Sequence, residues 1–195
     1  MKFNLMLKKI LFIIIPFLII LSCAQSDTST PTPKSEAKKI NKPNIDLLDS
    51  VATANFEMIS QHIEYGTDIN SKFVSEEDWK GASSLHIAVI SPTNSEQLKI
   101  FTKVVGLLLE GGANIEIKAR NADEATPLAW AVYFGKLEMA QLLIKKGANV
   151  NESDKNRYTP LDGALSSPFM ASEMNRSAIV NFLKEKGAKT KSELN

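Results

Sequence analysis

Four segments of the chain share one short pattern, an apolar stretch followed by polar residues and a glycine. The pattern is LLIKKGANVN at residues 142–151 and LLLEGGANIE at residues 107–116. Related versions are HIEYGTDIN at residues 62–70 and FLKEKGAKT at residues 182–190. Such self-similarity is typical of repeat proteins, in which no unit buries its apolar face without a neighbour. The chain is therefore predicted to form a stack of similar units.

A second recurring pattern precedes each glycine. It is TPLAWAV at residues 126–132, SSLHIAV at 83–89, TPLDGAL at 159–165 and DLLDSVA at 46–52. The distance from its leucine to the glycine is 19 residues both from Leu128 to Gly147 and from Leu47 to Gly66. The other two copies carry insertions between the leucine and the glycine. Four copies in register indicate that the pattern is not accidental.

Each copy predicts two short helices. A threonine hydroxyl at Thr126 or Thr159 can cap the first helix, and Pro127 or Pro160 suits the first helical position. Apolar residues then recur at helical spacing through both helices. The second helix should end at a glycine that adopts a left-handed conformation, which predicts this role for four residues: Gly66, Gly112, Gly147 and Gly187.

Together these motifs resemble the ankyrin-repeat family, and the resemblance covers residues 45–195. It implies an all-α solenoid with turn-like fingers, built of approximate repeats 45–70, 78–116, 121–151 and 154–190, with the first and last as caps. His86 matches the structural histidine of the family, which implies hydrogen bonds to neighbouring loops. The other copies carry Asp49, Ala129 and Asp162 there, so this series of bonds should be incomplete.

The N-terminal residues form a different kind of segment. Lysines precede an apolar run over residues 10–21, which is too short for a membrane span and is typical of a secretory signal peptide. The sequence Ile20-Leu21-Ser22-Cys23 resembles the lipobox of bacterial lipoproteins. The resemblance implies removal of residues 1–22 by cleavage between Ser22 and Cys23, followed by lipidation of Cys23.

Residues 23–44 should then form a flexible linker, because they are rich in Ser, Thr, Pro and Lys and lack apolar periodicity. Ala24 follows the cysteine where an aspartate commonly retains such proteins at the inner membrane. The expected location is therefore the bacterial cell envelope, with lipid anchoring in the outer membrane. Cys23 is the only cysteine, so no internal disulfide can form.

Little in the sequence suggests catalysis. The net charge is +1, which does not indicate a nucleic-acid partner. There is no glycine-rich phosphate loop and no nucleophile elbow. The acidic pairs Glu76-Glu77 and Asp123-Glu124 fall on predicted fingers, where solvated charges are expected rather than a calcium site. We expect no enzyme activity, cofactor, metal or small-molecule substrate.

The resemblance implies a protein partner, bound by finger tips and the exposed ends of the first helices. Large aromatic residues, which are enriched at binding hot spots, recur at these positions. The predicted partner-binding residues are Trp79, Lys80, Tyr133, Phe134, Asn156 and Tyr158. Exposed helix or finger positions are also assigned to Ala52, Thr53, Ile90, Ser91, Ser166, Ser167, Ala82, Ala122, Asp123, Ala125 and Lys155. An alternative assigns Tyr133 and Phe134 to the core.

Two functions are consistent with these features. The first is a lipid-anchored, non-catalytic scaffold that binds a protein at the envelope. The second is a periplasmic immunity protein that neutralises a toxic enzyme, with an insertion near residues 91–103 entering its active site. We expect the insertions to lengthen second helices, one starting near Ser95 with a hydroxyl cap and the other after Pro168. Whether they extend the binding face is left open.

Overall fold

The computed structural model describes residues 40–71, 73–75, 79–170 and 172–194. These residues form four helix pairs in chain order, which confirms the predicted all-α solenoid. The helices are α1 Leu47–Ala52, α2 Phe56–Tyr65, α3 Ser84–Ile90, α4 Ser95–Glu110, α5 Pro127–Tyr133, α6 Leu137–Lys145, α7 Pro160–Ser166 and α8 Glu173–Glu185, followed by a 3₁₀ turn at Lys191–Glu193. The described residues contain no β-strand, only an isolated bridge between Phe73 and Ser83.

The starts of the first helices follow from the repeated hydroxyl residue. The Thr126 hydroxyl accepts a hydrogen bond from the Ala129 amide at 3.2 Å, and Thr159 accepts one from Asp162 at 3.3 Å. Pro127 and Pro160 occupy the first helical positions. There a missing amide costs nothing, so the sequence pattern fixes where these helices begin.

The second helices end as the glycine pattern predicts. Gly66, Gly112, Gly147 and Gly187 have φ angles of 79°, 90°, 101° and 80°. A side chain is disfavoured in this left-handed region, so each glycine allows the chain to leave its helix sharply. The first three of these turns lead into the segments that connect the repeats, residues 67–83, 112–126 and 148–159, which we call fingers.

The core lies between neighbouring helix pairs. The repeated leucine of the first helices is at most 1% exposed in all four copies: Leu47, Leu85, Leu128 and Leu161. First helices contact the next first helix, as α5 contacts α3 and α7, and second helices contact the next second helix. Each pair therefore gains part of its buried surface from its neighbours, as expected of a solenoid.

Both insertions lengthen second helices. α4 has 16 residues and α8 has 13, whereas α6 has 9. The predicted hydroxyl cap at Ser95 is wrong, because the side chain of Asn94 accepts the hydrogen bond from Gln97 and Ser95 is already helical. Residues 95–103 are thus helical rather than a free loop.

The predicted signal peptide, the lipobox residues Ser22 and Cys23 and most of the predicted linker lie outside the described residues. Among the residues that the structure describes, no helix is long and apolar enough to cross a membrane.

Candidate functional site

Five aromatic side chains from three successive repeats meet in one cluster, which we call the aromatic cluster. The last turn of α5 supplies Trp130 and Tyr133, and Phe134 follows at its C-cap. Phe134 has four ring neighbours: Trp130 at 6.0 Å, Trp79 at 5.6 Å, Tyr133 at 5.5 Å and Phe169 at 5.1 Å between ring centroids. All four pairs are tilted or edge-to-face, and aromatic quadrupoles favour the edge-to-face arrangement. The rings are therefore held in fixed orientations.

Trp79 reaches the cluster from the finger that precedes α3. The finger folds back on itself through bonds from the Val74 amide to the Ala82 carbonyl at 2.8 Å and from Gly81 to Val74 at 2.9 Å. Ala82 was expected at an exposed position, but it is wholly buried because this reversal covers it. Trp79 is half-buried and lies 6.1 Å from Trp130, while Lys80 beside it is exposed.

Phe169 belongs to the cluster and was not predicted. It lies in the insertion after α7, is 55% exposed, and packs 5.4 Å from Tyr133. The Ser167 hydroxyl donates to the Tyr133 carbonyl and accepts from the Phe169 amide at 3.1 Å. Ser167 was expected to be exposed but is buried, because its hydroxyl makes this link. The aromatic residue directly after Pro168 is the sequence signal that could have identified Phe169.

Arg176 at the start of α8 fixes the same loop. Its guanidinium donates to the carbonyl oxygens of Ala164 and Ser167, each at 2.8 Å. A basic side chain that binds the last carbonyls of a helix satisfies acceptors that lack intrahelical partners. Arg176 therefore ends α7 and positions the loop that carries Phe169.

His86 packs against the buried side of the aromatic cluster. Its ring lies 4.8 Å from that of Trp130 in an edge-to-face arrangement and is wholly buried. Nε2 lies 3.0 Å from the Ala125 carbonyl oxygen in the next finger, and Nδ1 accepts from the Ser83 amide at 3.3 Å. Burial lowers the pKa of His86 to about 4, although the bond to Ala125 opposes this shift. The imidazole is therefore neutral near neutral pH and acts as a structural link.

Asp162 makes a related link in the fourth repeat, where the sequence predicted no such bond because the family histidine is replaced. Its Oδ2 accepts from the Thr159 amide at 2.9 Å and from the Lys191 amide at 2.8 Å. A carboxylate thus joins the fourth repeat to the terminal turn, as His86 joins the second repeat to the finger of the third. The residue types differ, so the sequence comparison alone did not reveal the shared role.

The remaining predicted contact residues form a separate group. Tyr158 is 54% exposed, and the Lys191 ammonium lies 4.8 Å from its ring centroid. The same ammonium donates to the exposed Asn156 carbonyl at 3.0 Å. None of the aromatic pairs formed by described residues joins Tyr158 to the aromatic cluster.

A groove of about 280 Å³ lies between the segment 92–95 and the start of α6. Lys136 crosses it and donates to the Pro92 carbonyl oxygen at 2.6 Å. Burial lowers the Lys136 pKa, and nearby Glu138 partly opposes that change. The described residues include no group of three or more His, Cys, Asp or Glu side chains arranged for a metal ion. Lys136 thus joins two repeats across this groove.

Residues 97–193 match the family model described as ankyrin repeats, with three copies. These residues are ankyrin repeats. The match covers the second helix of the second repeat from its third residue onward and all of the third and fourth repeats, which include four of the five rings of the aromatic cluster.

Curated relatives match over less than half of the chain. It is 31% identical over 88 residues to a probable palmitoyltransferase AKR2 of Saccharomyces uvarum. It is 33% identical to alpha-latrotoxin-Lh1a of Latrodectus hasselti and 37% identical to alpha-latrotoxin-Lt1a of Latrodectus tredecimguttatus, each over 87 residues. Each match covers 45% of this chain but only 12%, 6% and 6% of these relatives, respectively. The ankyrin repeats of this chain suggest a scaffold for protein–protein interaction.

Proposed function

We propose that this chain is an exported, lipid-anchored and non-catalytic ankyrin-repeat protein that binds a protein partner at the cell envelope through the aromatic cluster. The observation that carries the binding proposal is the meeting of Trp79, Tyr133, Phe134 and Phe169 on one accessible surface. Repeat packing alone does not require such large rings at the ends of first helices and in an insertion.

The cluster suits a contact with apolar or aromatic side chains of a partner. Its rings are partly accessible, and their mutual contacts reduce the conformational entropy that binding would otherwise cost. Aromatic residues in such preorganised patches dominate many protein interfaces. Phe169 extends the surface into the last repeat, which supports a binding role for that insertion.

The anchoring proposal rests on the sequence of the N-terminal segment. The lysines, the apolar run and the lipobox-like Ile20-Leu21-Ser22-Cys23 support export and lipidation at Cys23. Incorporation of a labelled fatty acid into the wild-type chain, and its loss in Cys23→Ser, would test this part. Equal labelling of both proteins would contradict it.

Affinity capture from the native envelope tests the binding part. The bait is the full chain, compared with Phe169→Ala and with the double variant Tyr133→Ala/Phe134→Ala. Phe56→Ala is the matched control, because Phe56 is 37% exposed in the first repeat, outside the aromatic cluster. Circular dichroism should give equal helicity for the variants that are compared.

We expect one protein to be retained by the wild type and by Phe56→Ala, and lost with either cluster variant. Retention by all four baits, or by none, would overturn the assignment of the aromatic cluster. If the retained protein is an enzyme whose activity is inhibited by the chain, the partner is a toxin and the chain an immunity protein. If no inhibition is found, the chain is a scaffold.

A further inference from the structure

The edge where the second helices end carries a regular charge pattern. We define this turn edge as the seven residues from two before to four after each helix-ending glycine: residues 64–70, 110–116, 145–151 and 185–191. The sequences are EYGTDIN, EGGANIE, KKGANVN and EKGAKTK. Their net charges are −2, −2, +2 and +2, so one half of the edge is acidic and the other is basic to the same extent.

Hydrogen bonds place these four segments side by side. The Asn70 side chain donates to the Gly112 carbonyl at 3.0 Å and accepts from the Asn114 amide at 2.8 Å. The Asn149 amide donates to Glu116 at 2.7 Å, and the Lys189 amide donates to Asn151 at 2.7 Å. The turn edge is therefore one continuous surface, roughly 30 Å long at ordinary helix spacing.

Most of the charges on this edge are not neutralised within the chain. Glu64, Glu110, Lys145 and Lys146 are exposed, and no ion pair joins any of them to another described residue. Because like charges are grouped in each half of the turn edge, adjacent residues of that half do not cancel its electrostatic field. An opposing surface can cancel it only if that surface carries the reversed order of charge.

We infer that the turn edge is the contact surface for a second copy of this chain. A two-fold axis between the second and third repeats sets the first repeat of one copy against the fourth of the other, and the second against the third. Each contact then joins a net −2 segment to a net +2 segment. Two-fold contacts of this kind close after two copies, so the assembly is a dimer.

Aromatic residues lie at both ends of the edge. Tyr65 is 47% exposed beside Glu64, and the Lys186 ammonium lies 5.8 Å from the ring centroid of Phe182. The two-fold arrangement brings Tyr65 of one copy to the end of the other copy that carries Lys186. A tyrosine face attracts an ammonium ion, so these ends add to the charge attraction.

The edge fits a second copy better than a uniformly charged partner. An anionic membrane or nucleic acid would be attracted by the basic half but repelled by the acidic half. Individual exposed ion pairs contribute little, so the dimer is weak and depends on low ionic strength. Because α6 separates Phe134 from the turn edge by roughly 13 Å, the dimer leaves the aromatic cluster accessible.

Sedimentation velocity of the full chain tests this inference. We expect a dimer at about 10 mM salt and a monomer at about 1 M salt, where the Debye length falls from about 30 to about 3 Å. Lys145→Glu/Lys146→Glu changes the third segment from +2 to −2 and should weaken dimerisation at least about ten-fold. Adding Glu110→Lys changes the net charge of the second segment, which faces the third, from −2 to 0. This change should restore part of the lost dimer affinity.

Lys99→Glu/Lys103→Glu is the matched control, because it changes the net charge equally at two exposed positions of α4 that lie outside the turn edge. It should dimerise like the wild type, as should Tyr133→Ala/Phe134→Ala. A monomeric wild type at about 10 mM salt would overturn the inference. So would equal weakening by the edge and control variants, or assembly into open-ended oligomers.

Discussion

Nε2 of His86 lies 3.0 Å from the carbonyl oxygen of Ala125, which belongs to the finger of the following repeat. Because Nδ1 accepts from the Ser83 amide, the neutral tautomer with its proton on Nε2 satisfies both neighbours. A second proton on Nδ1 would face an amide hydrogen in a buried site. The uncharged side chain thus satisfies both neighbours at once and joins two repeats.

This geometry predicts a pH-dependent stability. Burial lowers the pKa of His86 from 6.5 to about 4, so between these values the unfolded chain binds a proton that the folded chain does not. The free energy of unfolding therefore keeps its full His86-dependent part above about pH 6.5. It decreases by roughly 3 kcal/mol as the pH falls towards 4. Urea unfolding across this range should show the decrease, and His86→Gln should show a shallower one. Equal pH dependence in the wild type and His86→Gln would contradict the assignment of this effect to His86.

Ser84 offers a stabilising substitution. It occupies the first position of α3, where α5 and α7 carry proline, and its buried hydroxyl lacks a hydrogen-bond partner among the described residues. Ser83 is extended with φ −82° and ψ 171°, as a residue before proline requires. We expect Ser84→Pro to raise the free energy of unfolding by about 0.4–1 kcal/mol, measured by urea titration. Ser84→Ala, which removes only the hydroxyl, should gain less, and a lower midpoint for Ser84→Pro would refute the prediction.

Gly81 permits a close contact between two fingers. Its φ is +81°, its carbonyl accepts from the Arg120 amide at 2.8 Å, and an added Cβ would lie 2.3 Å from the Arg120 carbonyl carbon. Gly81→Ala should therefore cost at least about 2 kcal/mol of stability and displace the finger that carries Trp79.

Gly66→Ala is the comparison for this effect, because its φ is similar at +79° but nothing lies within 4 Å of an added Cβ. Backbone strain alone should cost it about 1 kcal/mol. Thermal unfolding and tryptophan fluorescence distinguish the variants. Equal losses would mean that the clash with Arg120 is relieved by a shift of the finger.

Asp162 is expected to hold the terminal turn in place. Asp162→Ala leaves the amides of Thr159 and Lys191 without their carboxylate acceptor, at a cost of about 1–3 kcal/mol. Asp162→Asn keeps an acceptor oxygen and should lose less. Hydrogen exchange at Lys191 and Thr159 reports the loss directly. Unchanged exchange at both amides in Asp162→Ala would contradict this role.

The sequence identified the features that depend on nearby residues. The threonine caps and the helix-ending glycines act within one helix pair, and the buried leucines recur at the same position of each pair, so their spacing alone predicts the fold. His86 was placed through its resemblance to a family residue, and its bond to Ala125 matches what that resemblance implied.

Features that depend on contacts between repeats were harder to predict. Phe169 lies in an insertion, where the repeat register no longer relates a residue to its neighbours. Asp162 binds the Lys191 amide, which is 29 residues away, although Asp162 does not match the histidine at the same position in the second repeat. Tyr133 and Phe134 were predicted at exposed positions or in the core, and each is half-buried, so both descriptions apply in part.

The aromatic cluster takes its rings from three successive repeats, with Trp79 from the second, Tyr133 from the third and Phe169 from the fourth. Solenoids open most readily from their ends, one repeat after another. A ligand that covers these rings requires the fourth repeat to remain stacked on the third. Occupancy would therefore suppress fraying at the C-terminal end while leaving the first repeat free to open, and the bound protein would be selectively protected from proteolysis at that end.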